Sequence, residues 1–107
     1  MSKEIVYISG KITGEDFIDT LVKFERAEKY LKELGYDVIN PLKIVTNIPK
    51  FIIDDYEWIM SICKALLRKA NRIYMLKDWK YSNGAKEELI TFCNREEECT
   101  VMFEEYQ

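Results

Sequence analysis

Four short runs of β-branched and aromatic residues recur along the chain, and the first three are each followed by a turn and a stretch with helical spacing. The runs cover residues 5–9, 36–39, 72–76 and 99–103. Such runs read as strands. Between them, Phe17, Leu21, Phe24, Ala27, Leu31 and Leu34 repeat at helical intervals, with charges on the other side. Ile59, Ile62, Leu66 and Lys69 mark one face of a second helix over residues 56–69. Ala85, Leu89, Phe92 and Cys93 mark a third over residues 85–93. The order β-α-β-α-β-α-β has few solutions. Right-handed crossovers give an α/β fold in three layers, a four-stranded parallel sheet with helices on both faces. The expected strand order is 2-1-3-4, with a switch point between strands 1 and 3, where ligands favour the carboxyl ends of the strands.

Punctuation supports these elements. Thr13-x-x-Asp16 resembles a capping box ahead of the first helix, and Gly35 stops that helix. Residues 40–54 form the least regular stretch, broken by Pro41 and Pro49. They either cover a pocket or simply connect two elements.

The 107 residues suit a single domain over 1–107. With 48% hydrophobic and 33% charged residues, the composition is that of a soluble globular protein. A net charge of −3 and no basic stripe speak against a nucleic-acid partner. No apolar run approaches the ~20 residues of a membrane span, and Met1-Ser2-Lys3-Glu4 leads straight into a strand without a signal-peptide core. Three cysteines without a CxxC pair fit reduced thiols in a cytoplasm, and neither a metal nor a cofactor is expected. The chain has no histidine, so Ser-His and Cys-His pairs are excluded. Any general acid or base must be a carboxylate, Lys, Tyr or Cys.

The switch point joins two loops. The first, Ser9-Gly10-Lys11-Ile12-Thr13-Gly14, is neither GxGxxG nor a P-loop. Its glycines either make an ordinary turn or open a cradle of backbone N–H groups for a phosphate or ribose, with Lys11 adding a cation. The second runs Asp78-Trp79-Lys80-Tyr81-Ser82-Asn83-Gly84 into the third helix. Ser82 can cap that helix, and Gly84 can admit a ligand close to the backbone. Glu88 falls at the edge of the helix's apolar arc, while Glu87 points away from it. A carboxylate there either complements the helix dipole or has a task. One task is nucleophilic attack on a sugar, as in retaining glycosyl transfer. Tyr7 is either a core tyrosine or a contact to that carboxylate. Trp79 and Tyr81 either stack on a base or pack on the sheet edge.

Three segments resemble the nucleoside 2-deoxyribosyltransferase-like group, in its branch of short bacterial and phage proteins. They are Tyr7-Ile8-Ser9-Gly10-Lys11-Ile12-Thr13-Gly14; Phe24-x-x-Ala27-Glu28-x-x-Leu31-x-x-Leu34-Gly35-Tyr36-x-Val38-Ile39-Asn40-Pro41; and Ile73-Tyr74-Met75-Leu76-x-x-Trp79-x-x-Ser82-x-Gly84-Ala85-x-x-Glu88. The resemblance implies a flavodoxin-like fold, a cleft for a nucleoside or nucleotide, and cleavage or exchange of the N-glycosidic bond. It implies Glu88 as the nucleophile, with Tyr7 beside it in the catalytic set. Ser9, Gly10, Lys11, Asp78, Trp79, Ser82, Asn83 and Gly84 would then surround the substrate. It also implies a homodimer or larger homo-oligomer. Two positions depart from the pattern: acidic residues of the group are Cys63 and Asn71 here. Asp78 or Lys11 would have to activate the leaving base in their place. A catalytically silent nucleotide-binding module, sensing or sequestering its ligand, is the alternative.

Overall fold

The computed structural model describes residues 3–47, 55–95 and 97–105. Its elements in chain order are β1 (Ile5–Ser9), α1 (Phe17–Glu33), β2 (Asp37–Ile39), α2 (Pro41–Val45), α3 (Tyr56–Leu67), β3 (Arg72–Met75), a 3₁₀ turn (Trp79–Tyr81), α4 (Asn83–Cys93) and β4 (Thr100–Phe103). The strands form one parallel sheet in the order β2-β1-β3-β4. This is the expected α/β arrangement, consistent with a flavodoxin-like fold.

Strand residues alternate faces, and the two cores show it. Tyr7, Ile73 and Met75 pack with Cys63 and Leu67 of α3 and with Ala85 and Phe92 of α4. Val6, Ile8, Tyr74 and Leu76 pack with Phe24, Ala27 and Leu31 of α1 and with Leu42 of α2. The central strands β1 and β3 are therefore buried on both sides, which is why residues 5–8 and 73–76 read as nearly continuous apolar runs.

Several local expectations are corrected. The cap of α1 is Asp16, not Thr13; its carboxylate accepts from Asp19 N–H at 3.0 Å. Phe17 and Leu34, expected on the core face of α1, are 57% and 53% exposed; Thr20 and Glu28 are buried instead. Gly35 does stop α1, with φ of +98°. Asn40-Pro41 opens the short helix α2 rather than an irregular stretch. Asn40 caps Leu42 N–H, and Pro41 occupies the first turn, where its missing N–H costs nothing. The remainder of that stretch, residues 48–54, lies outside the described residues. On α3 the buried face is Met60, Cys63 and Leu67, one position on from the expected set. The sequence pairs apolar neighbours there (Ile59-Met60, Ile62-Cys63, Leu66-Leu67), so periodicity leaves the face undetermined by one residue. Lys69 falls beyond the helix and is exposed.

Candidate functional site

Parity along β1 puts Tyr7 and Ser9 on the side facing α4. On α4 the buried residues are Ala85, Glu88 and Phe92, so Glu88 lies within the inward face, not at its edge, and Cys93 is exposed. Three polar side chains thus meet under the helix. The Tyr7 hydroxyl donates to Glu88 Oε2 in a short contact, and Ser9 Oγ donates to Oε1 at 2.8 Å. Tyr7 and Ser9 are both buried, and Glu88 is 7% exposed.

Burial is the largest influence on Glu88 and pushes its carboxyl up; the two hydroxyl donors act against it, and the balance stands at about 7. Tyr7 is driven well above the ordinary tyrosine value by burial and the neighbouring Glu88 charge, so it remains a donor at physiological pH. Cys63 sits in the same core, and burial and Glu88 push its thiol up to about 11. Glu87 lies off the buried stripe of α4, as expected, but is half-buried at the cleft, where Lys64 Nζ binds it at 2.5 Å.

Tyr7, Cys63, Glu87 and Glu88 lie on the wall of a cleft of about 900 Å³ at the carboxyl end of the sheet. Its sides are the loop after β1, the starts of α2 and α3, and the N-terminal turns of α4. That volume is within the usual ~300–1,000 Å³ of small-molecule sites. A second hollow of about 740 Å³ on the outer side of α1 is lined largely by charged side chains. Its one buried carboxylate, Glu28, is already occupied by Lys32, Lys43 and Asn40.

Each residue singled out from sequence has a definite place. Lys11, Ser82, Asn83 and Gly84 line the cleft with Tyr7, Gly10 and Glu88. Ser82 Oγ caps α4 by accepting from Ala85 N–H at 3.1 Å. A Cβ on Gly84 would make only ordinary contacts with the Tyr56 hydroxyl at 3.5 Å and Met60 Sδ at 3.6 Å. Gly10 is more demanding: a Cβ there would stand 2.5 Å from Leu76 Cδ1, so glycine is needed for packing at the end of β3. Ser9 reaches Glu88 rather than the cleft surface. Trp79 packs against Phe103 of β4, with ring centroids 5.9 Å apart, while Tyr81 stands 77% exposed at the cleft. Asn71 faces β1, its Oδ1 accepting from Ile5 N–H at 2.8 Å.

Asp78 braces the cleft. Its Oδ1 accepts from Lys11 N–H at 3.0 Å, and its Oδ2 pairs with Lys23. Lys23 Nζ also donates to Lys11 carbonyl O at 2.6 Å. Both sides of the Lys11 backbone are thus fastened, which sets the loop after β1 against the loop after β3. No local signal marks Lys23, because its partners lie 12 and 55 residues away.

A model of a domain of unknown function, DUF4406, matches residues 4–97. The chain belongs to the DUF4406 family. The match takes in every residue of the Tyr7–Ser9–Glu88 triad and the Asp78 brace. No curated protein and no solved structure matches the chain. Among the described residues of this DUF4406 domain, no group of three or more His, Cys, Asp or Glu is placed to hold a metal ion. Nor is any described helix long and apolar enough to cross a membrane.

Proposed function

We propose that this DUF4406 domain cleaves or exchanges the N-glycosidic bond of a nucleoside or nucleotide, with Glu88 as the nucleophile. The observation that carries the reading is a buried carboxylate on the wall of a ligand-sized cleft, held by two hydroxyl donors. In the reaction a Glu88 oxygen attacks the anomeric carbon, and the electrons of the C–N bond leave with the base. The resulting glycosyl ester is then opened by water or by a second base. Tyr7 and Ser9 keep Glu88 partly ionised near neutrality and fix its oxygens. The segment resemblance to the nucleoside 2-deoxyribosyltransferase-like group supports the same assignment. It brings with it a homodimer or larger assembly, while three cysteines without a CxxC pair suit a cytoplasmic setting.

A second reading has its own support. Among the described residues lining the cleft, the carboxylates are Glu87 and Glu88, and Glu87 is tied to Lys64. Where the resembling group has an acid, Cys63 presents a thiol at about 11, poorly suited to protonating a leaving base. Assistance of that kind is typically worth 10²–10⁴-fold. A nucleotide-binding module without turnover fits these facts.

Incubation with a panel of ribo- and deoxynucleosides and nucleotides, following free base, separates the two. Base release that Glu88→Ala abolishes establishes the enzyme. No release from any substrate, together with a ligand-dependent rise in melting temperature, establishes the module. Neither release nor a thermal shift with any member of the panel rejects both.

A further inference from the structure

Away from the cleft, the other two cysteines stand together. Cys93 is the last residue of α4 and is exposed; Cys99 immediately precedes β4 and is half-buried. Both are free thiols, yet their sulfurs are 3.0 Å apart. A disulfide places its sulfurs about 2.05 Å apart, so bonding needs the two sulfurs to close by only about 1 Å. The surroundings hold the pair in place. Arg95 Nη1 donates to Ala70 carbonyl O at 2.7 Å, and its guanidinium lies 4.0 Å from the centre of the Phe92 ring. These contacts fasten the end of α4 to the turn before β3. On the other side, Thr100 pairs with Arg72 in the sheet. Both cysteines are therefore anchored beside the start of β3.

We propose that Cys93 and Cys99 form a reversible intrachain disulfide, a redox modification site that clasps the Glu88-bearing helix to the edge strand. The oxidant is a low-molecular-weight disulfide such as oxidised glutathione. The Cys93 thiolate attacks one of its sulfurs, giving a mixed disulfide and releasing one glutathione, which takes up a proton. Cys99 then gives its proton to solvent and attacks Cys93 Sγ, expelling the second glutathione. Two protein thiols are oxidised and one small disulfide is reduced to two thiols. Burial and the adjacent Cys93 push the Cys99 thiol up to about 11, with the Arg95 cation acting against them. Exposure to the oxidant makes Cys93 the attacking group and half-buried Cys99 the resolving one. Cys63 stays outside the reaction, buried in the cleft wall.

The test is to treat the full chain with oxidised glutathione, unfold it, alkylate free thiols and map the products by mass spectrometry. The expected result is alkylation of Cys63 alone, with Cys93 and Cys99 linked within one chain. Melting temperature should rise on the order of 5–10 °C and fall back with reductant. Cys99→Ser should lose that rise and retain a glutathione on Cys93. Full alkylation of all three cysteines after treatment, a bond to Cys63, or a bond between two chains would overturn the proposal. So would an undiminished thermal shift in Cys99→Ser.

Discussion

Glu88 holds its proton more tightly in the folded protein, at about 7, than in the unfolded chain, where a glutamate ionises near 4.5. Folding therefore favours the protonated form. The contribution to stability is complete below about 4.5, falls as pH rises through about 7 and is level above that. The change amounts to on the order of 3 kcal/mol at about 1.4 kcal/mol per unit. Glu88→Gln removes the titration, so it should gain on the parent between about pH 5 and about pH 8. Urea midpoints of both proteins at the two pH values measure this; a gap that stays constant would show that Glu88 does not titrate there. On the glycosidic reading the ionised form attacks, so base release should climb through about pH 7 to a plateau. Ser9 favours the charged form by donating to it. Ser9→Ala should accordingly move the rising limb to higher pH, which a kcat/KM profile would reveal. A limb that stays in place would leave Ser9 a packing residue only.

Elements meet at the site through contacts that tolerate little change. Gly10 sits where the backbone after β1 crosses Leu76, which is 1% exposed and has nowhere to go. Gly10→Ala should cost about 1–3 kcal/mol, the usual cost of overpacking, and widen the gap between the two loops. Equilibrium urea unfolding checks the first point; an unchanged midpoint would mean that the loop yields freely. At the other end of α1, Glu28 is drawn up by burial, but Lys32, Lys43 and Asn40 outweigh this and hold it down at about 2. Its contribution is present above about 4.5 and lost as pH falls towards about 2. Lys32 and Lys43 are more than half exposed, so solvent screens part of the gain, leaving on the order of 1–2 kcal/mol. Glu28→Gln should flatten the acid limb of the unfolding curve, and an equally steep limb would assign acid sensitivity to other carboxylates.

In the whole molecule, the two cores share the strands β1 and β3 between them, so neither can melt without exposing the back of the other. The cleft belongs to this shared framework. A nucleotide that fills it should stabilise the native state by mass action, by about 2.7 kcal/mol at a concentration 100 times Kd. A thermal melt with and without nucleotide reads this directly. An unchanged melting temperature at saturating nucleotide would exclude the cleft as a nucleotide site.

Sequence alone determined the strand order and the two loops that flank the switch point, because hydrophobic period and crossover handedness are local or nearly local rules. Glu88, Tyr7 and the Ser82 cap were legible for the same reason, each lying at a turn or on a periodic stripe. What tertiary structure decided depends on partners far away in the chain. Ser9 became a donor to a carboxylate 79 residues on, and Lys23 and Asp78 became a brace across 55. Trp79 turned to Phe103 of the edge strand, and Glu88 moved from the border of a stripe to its buried centre. The facing of α3 and the helix at Pro41 also waited for the fold. A run of adjacent apolar pairs fits two faces equally well, and a proline after a strand can end one element or begin the next. Periodicity specifies which elements form; only packing specifies which atoms meet.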